Sequence, residues 1–315
     1  MPKIPSIPRI SIVVPFGSEI RSIDNKLAFE DTLVSVLANR PAGCEILVVH
    51  NRNYDDPFEL KDEVRFVLAD SPSSIDLIAA GAKAARGRFV HVLAPGFQAI
   101  EDWTEPALQK FDDRNVGVVA PAIHNLTDRQ PDGVIAAGWQ DTRTRLCQPI
   151  KAHPGNAKAG SIGAYLQASF WRRNLLRSLT NAFQSHSMVE STYAYGHLAR
   201  TAGWRCDVAD SSIVTTELAT AAWDPSSYDR GRKLSAVRAA ITRSNQKMPL
   251  VSNIWHVLRN PRSIGETLGQ VSYRGRLAST KRRLQISEVE TCVESSVLAM
   301  PKRTAASKIN RRRAA

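Results

Sequence analysis

The sequence predicts an α/β protein: an open mixed sheet flanked by helices, followed by a basic C-terminal extension that is helical or disordered. Three observations predict it. Between residues 10 and 124, short strands that are apolar throughout alternate with one-sided helical patterns, and strands of that kind are covered by helices on both faces. Beyond residue 123 the alternation loosens. The charge is also divided: residues 1–220 hold 23 Lys and Arg against 24 Asp and Glu, whereas residues 221–315 hold 19 against 6. The chain therefore divides into an N-terminal extension (1–9), an α/β domain (10–218) and a basic extension (219–315), and polyanionic partners concern the last of these.

The elements follow in order. ISIVVPF (10–16) is a strand. KLAFEDTLVSVLANR (26–40) is a helix with a stripe of Leu27, Leu33, Val34, Leu37 and Ala38, closed by Arg40-Pro41. CEILVVH (44–50) and VRFVLAD (64–70) are strands, and SSIDLIAAGAKAARG (73–87) is a helix stopped by Gly87. RFVHVLA (88–94) is the fourth strand; a helix near 102–113 leads to the strand VGVVAPAI (116–123). These first strands read as parallel, with ligands at their carboxyl ends. GVIAAGW (133–139) reads as an edge strand and GAYLQASFWRR (163–173) as a strand entering a helix. Residues 192–209 read as a helix, a Gly turn and a short strand, and 227–246 as a basic helix.

Four scattered cysteines with no CxxC pair speak against a zinc site or a secreted disulfide framework, and for a reducing compartment. The prolines of MPKIPSIPRI interrupt any leader-like apolar run, and no stretch of 18 apolar residues follows. The expected location is cytoplasmic, peripheral at the inner face of a membrane if the basic extension meets one.

ISIVVPF, EILVVHNRNYDDP and AAGAKAARGRFVHVLAPGFQAIEDW, in that order and spacing, resemble the N-terminal half of a family 2 glycosyltransferase of GT-A fold. The later segments GVIAAGW, GAYLQASFWRR and HLARTAGWRCDVADSSIV extend the resemblance to about residue 215. It implies inverting sugar transfer from a nucleotide sugar to an acceptor. A Mg or Mn ion on the diphosphate and a carboxylate taking the acceptor proton would carry that reaction. Counting from Trp103, the family's metal-binding Asp-x-Asp falls on Ala94 and Gly96, which cannot ligate, so no metal cofactor is expected. The family's closing metal-ligand histidine falls near Thr215 or Thr216.

The resemblance also assigns the nucleotide-sugar site. It comprises Pro15 on the first strand, His50, Asn51, Arg52 and Asp55 after the second, and Gly81, the survivor of an Arg-Asn-x-Gly motif that reads Ile78-Ala79-Ala80-Gly81 here. Asn and His can bond a base edge or ribose, and Arg52 can pair with phosphate. Glu190 is the candidate catalytic base.

Each assignment has a plainer counterpart. Asp55 also reads as a solvated turn residue before a proline, Glu190 as a surface acid at a helix start, and His91 as a buried core histidine. Trp139, Trp171 and Trp204 read as sugar platforms or as core. The extension reads as solvated chain, or as a surface for anionic lipid or an acidic partner; it carries no specific nucleic-acid module. Two functions stand: a divergent, inverting family 2 glycosyltransferase, and a non-catalytic relative serving as a nucleotide-sugar- or glycan-binding or scaffolding module.

Overall fold

The structure, a computed structural model, describes residues 7–17, 23–51, 59–60, 63–126, 133–142, 145–151, 163–218, 224, 226–241 and 264–272. Strands β1 (Ile10–Phe16), β2 (Cys44–His50), β3 (Arg65–Leu68) and β4 (Phe89–Leu93) pair in parallel in the order β3-β2-β1-β4. Next to β4 comes β10 (Ala168–Arg172), antiparallel both to β4 and to β6 (Val116–Asn125). The sheet continues through β11 (Arg205–Thr216), parallel to β6, and ends at β5 (Phe97–Ala99), antiparallel to β11; β7 (Val134–Ala136) pairs with β6. A two-stranded hairpin, β8 (Trp139–Gln140) and β9 (Gln148–Pro149), stands apart. This is the curled, open mixed sheet flanked by helices.

The curl is forced by chain length. Three residues lie between Leu93 and Phe97, and the four Cα-to-Cα steps reach about 14 Å at most, whereas four strand spacings across a flat sheet need about 19 Å. The sheet must therefore bend until the end of β11 meets the exit of β4. Neither β5 nor the insertion of β10 follows from the apolar pattern, and the strand expected to be short after Gly203 runs for twelve residues.

The helices are α1 (Ile23–Ala38), α2 (Ser74–Ala84), α3 (Glu105–Lys110), α4 (Arg173–Ala182), α5 (Met188–Thr201), α6 (Tyr228–Ile241) and α7 (Ile264–Ser272). The stripe expected on α1 is corrected: Leu27 and Val34 are half exposed, and Phe29, Leu33 and Val36 face the core. Both sets share Leu33, and the i, i+4, i+7 row that includes Phe29 buries the larger side chain. Helix α2 stops at Ala84, three residues before Gly87. That glycine instead permits a close approach of two backbones, since a Cβ there would stand 2.6 Å from the Ser11 amide nitrogen. Its N–H donates to Ser11 Oγ (2.8 Å), and Glu45 Oε1 accepts from the Arg86 N–H (2.5 Å). The Arg-Gly pair thus seats the start of β4 against β1.

His91 is buried as expected, with its ring against Phe170 (centroids 3.9 Å apart) and edge-on to Trp103 (4.7 Å). Burial pushes its pKa well below the ordinary value, with a smaller opposing effect from the Ser169 backbone. Trp139, Trp171 and Trp204 are buried as well; the indoles of the first two donate to the Ala164 carbonyl (3.2 Å) and Ser169 Oγ (2.8 Å).

Helices α6 and α7 cross at glycines. A Cβ on Gly231 would lie 2.1 Å from the Glu266 carbonyl oxygen, and one on Gly269 2.0 Å from that of Tyr228. Beside this crossing Arg230 is buried between Asp224 (2.7 Å) and Glu266 (2.5 Å), and it also donates to the Cys147 carbonyl (2.8 Å). Glu266 further accepts from Arg145 (3.1 Å) and Ser226 (2.7 Å). This network ties the basic helix α6, and α7 with it, to the chain around β9.

Candidate functional site

The carboxyl ends of β1, β2 and β4 lie side by side, because these strands are neighbours in parallel register. Pro15 is buried within β1 opposite Val49, and Phe16 stands opposite His50. Two residues past Pro15, Gly17 meets the start of α2: a Cβ there would be 3.0 Å from the Pro72 carbonyl oxygen and 3.5 Å from Ser74 Oγ. The β1 exit and the first turn of α2 therefore form one wall.

His50 closes β2 on the same side. It is half buried, its ring lies edge-on to Phe66 at 6.2 Å, and burial lowers its pKa, so the imidazole is neutral near pH 7. The Asn51 side-chain amide donates to the Asp70 carbonyl (3.0 Å) and joins the exits of β2 and β3. Arg52 and Asp55 lie outside the described residues. Gly81 sits deeper, in the middle of α2, where a Cβ would be 2.5 Å from Val13 Cγ1 and 3.1 Å from Val49 Cγ2. Its position brings α2 close onto β1 and β2.

The β4 exit is a turn held from two sides. Within Ala94-Pro95-Gly96-Phe97, the Phe97 N–H donates to the Ala94 carbonyl (3.2 Å) and Gly96 has φ of +87°. Proline second and glycine third is the pattern of a type II turn. From α1, Thr32 Oγ1 accepts the Gly96 N–H (3.0 Å). From β11, the buried Thr216 hydroxyl donates to the Gly96 carbonyl (2.7 Å), and Thr216 Oγ1 accepts the Leu218 N–H (3.1 Å). The Leu218 side chain lies over Gly96, its Cδ1 2.7 Å from where a Cβ would stand.

The residues present do not fit a divalent cation here. Such an ion wants several oxygen ligands, and this place offers a methyl group, a glycine covered by leucine, and a threonine hydroxyl engaged with the backbone. Among the described residues, no group of three or more His, Cys, Asp or Glu is placed to hold a metal. Thr215, the alternative position for a closing histidine, points to the alternate side of β11, between Gln98 of β5 and His124 of β6.

Glu190 lies in the first turn of α5. Ser187 caps that helix by accepting the Glu190 N–H at 3.5 Å, and Glu190 Oε2 accepts from the Ser185 hydroxyl at 2.5 Å. The intervening His186 approaches Asp76 of α2 at 3.6 Å. The start of α5 therefore sits beside the start of α2, on the wall that Gly17 also meets.

Two residues that shape the site were not singled out from sequence: Thr32 and Leu218. The Pro-Gly dipeptide signals the turn, but nothing local pairs it with Thr32 or with residues 216–218. Asp141 accepts from Tyr193 (2.9 Å) and from the Cys147 N–H (3.0 Å), and approaches His197 at 3.2 Å, joining β8 to α5 across more than fifty residues. Burial opposes its charge, but these contacts, His197 foremost, outweigh it and hold the carboxyl below its ordinary pKa.

No protein-family model matches the sequence, and no curated protein matches it. Solved structures do. The chain is similar to GalNAc-T7 in a crystal structure with UDP, GalNAc and Mn2+: TM-score 0.54, 13% identity, over 94% of this chain and 58% of that one. It thus spans less than two thirds of that protein's length. It is also similar to the mannosyltransferase PcManGT from Pyrobaculum calidifontis in complex with GDP-Man and Mn2+: TM-score 0.53, 14% identity, over 95% of this chain and 82% of that one. At such identities the likeness establishes the fold, and the fold is GT-A-like.

Proposed function

We propose that this chain is a family 2 glycosyltransferase-like protein that binds a nucleoside diphosphate sugar without a divalent cation, and that binding, not sugar transfer, is its activity. The observation that carries this reading is the closed β4 exit. In a metal-dependent transferase a cation there offsets the charge of the departing diphosphate, whereas a leucine over a glycine offsets none. The fold supports the ligand class, since open α/β sheets bind ligands at the carboxyl ends of their strands, and both similar structures were obtained with a nucleotide or nucleotide sugar. In this reading Pro15, His50 and Asn51 face the nucleoside, a neutral His50 offering one donor and one acceptor nitrogen. Arg52 pairs with phosphate, Asp55 with the ribose, and Gly81 sets the depth of the site by seating α2 on β1.

A second reading, inverting transfer, has Glu190 in its favour, an acid at the start of a helix beside the same wall. Its carboxylate would take the proton of an acceptor hydroxyl while that oxygen bonds to the anomeric carbon. The bond from that carbon to the diphosphate would break, its electron pair leaving with the diphosphate. The Ser185 hydroxyl on Oε2 already engages this carboxylate in holding the start of α5, which favours the binding reading.

Titration calorimetry of the full chain with UDP- and GDP-sugars, in EDTA and in Mn2+, tests the proposal. It expects the same dissociation constant in both. Binding only with Mn2+, or none to any of these ligands, overturns it. A transfer or hydrolysis assay on the ligand that binds then separates the readings: turnover abolished by Glu190→Gln establishes the second, and no turnover supports the first.

A further inference from the structure

Helix α7 is inside out. Its polar residues Glu266, Thr267 and Gln270 are 1%, 8% and 6% exposed, whereas Ile264 and Leu268 are 42% and 57% exposed. They are four residues apart and so share one face. Tyr228 of α6, 49% exposed, lies beside α7, its hydroxyl donating to Ser272 Oγ (2.8 Å). The helix cannot roll to hide this face. Gly231 and Gly269 hold the two backbones in contact, and turning Glu266 outward would take from buried Arg230 one of its two carboxylate partners.

We infer that this face of the α6–α7 pair is a docking surface for an anionic lipid bilayer. The chain joined to the two ends of α7 carries the matching charge: residues 242–263 hold four Lys and Arg and no Asp or Glu, and residues 273–315 hold eleven against three. The sole charged side chain of α7 itself, Glu266, is buried in the ion network, so no acid on α7 opposes approach to an anionic surface. Apolar insertion of this size gives weak, reversible attachment on its own, and a polybasic stretch supplies the second signal that makes it stable. The patch is also small for a protein partner. A stable interface takes roughly 800 Å² from each side, more than three partly exposed side chains present.

Co-sedimentation of the full chain with phosphatidylcholine vesicles, with and without phosphatidylglycerol, tests this. Binding is expected to require phosphatidylglycerol and to weaken as salt rises. Leu268→Glu, at an exposed position, is expected to keep the thermal midpoint and weaken binding by about tenfold through lost apolar contact and added repulsion. Wild type that ignores anionic vesicles, or a Leu268→Glu variant that binds them as wild type does, overturns the inference. So does a wild type that is dimeric by size exclusion while Leu268→Glu is monomeric, since the face would then belong to a second copy.

Discussion

Replacing Gly96 with alanine probes the closed β4 exit directly. The backbone there has φ of +87°, where a residue bearing a Cβ is destabilised by about 1–2 kcal/mol. The new methyl would also stand 2.7 Å from Leu218 Cδ1 and 3.4 Å from Cγ; the end of a half-buried leucine turns aside readily, so this contact adds at most about 1 kcal/mol, the low end of overpacking. Gly96→Ala should therefore lose about 1–3 kcal/mol, measured by chemical denaturation with the slope held common to both proteins. In a Leu218→Ala background only the backbone part should remain. The two substitutions should then couple by about 0.5–1 kcal/mol, as residues in contact do. A Gly96→Ala loss below about 0.5 kcal/mol, or a loss unchanged by removing Leu218, would refute the reasoning and reopen the place to a larger side chain. An aspartate at position 96 meets the same two obstacles, so carboxylates introduced at 94 and 96 should not confer Mn2+ binding.

Two further predictions concern buried charge. The folded pKa of His91 lies well below the ordinary 6.5, so the unfolded chain takes up a proton that the folded chain refuses. Its contribution to stability is full above about pH 6.5 and is lost as pH falls, at up to about 1.4 kcal/mol per pH unit. His91→Leu should flatten that part of the stability–pH curve, and an unchanged slope below pH 6.5 would contradict it. Arg230→Met leaves Asp224 and Glu266 buried without their cation and should cost about 3–5 kcal/mol. Replacing all three by apolar residues should recover most of that. A single substitution that leaves the thermal midpoint within a degree or two, about what a few tenths of a kcal/mol would produce, would show that the network does not hold α6 and α7.

Much of the fold was legible in the residues. Ile10–Phe16, Cys44–His50 and Phe89–Leu93 are apolar throughout, and runs of that kind sit in the middle of a covered sheet. The helices between them required parallel pairing. Glu190 read as an acid at a helix start and lies in the first turn of α5, although that helix begins at Met188, four residues before the expected start. Other features left no local trace. β5 is three residues long, too short for a periodic signal, and the outward face of α7 follows from a buried arginine elsewhere in the chain. The stripe assigned to α1 holds at Leu33 and Leu37 but fails at Leu27 and Val34, because two apolar rows compete on that helix and only packing decides between them.

The candidate site divides in the same way. Which residues stand at the strand ends, namely Pro15, His50, Asn51, Ala94 and Gly96, follows from the sequence by itself, because strand boundaries and turn chemistry are local. So does the absence of carboxylates at 94 and 96. What fills that place was decided by the tertiary structure alone. The curl of the sheet carries Thr216 and Leu218 to Gly96 across 120 residues of chain, and a contact of that separation arises from strand order, which residue patterns leave open.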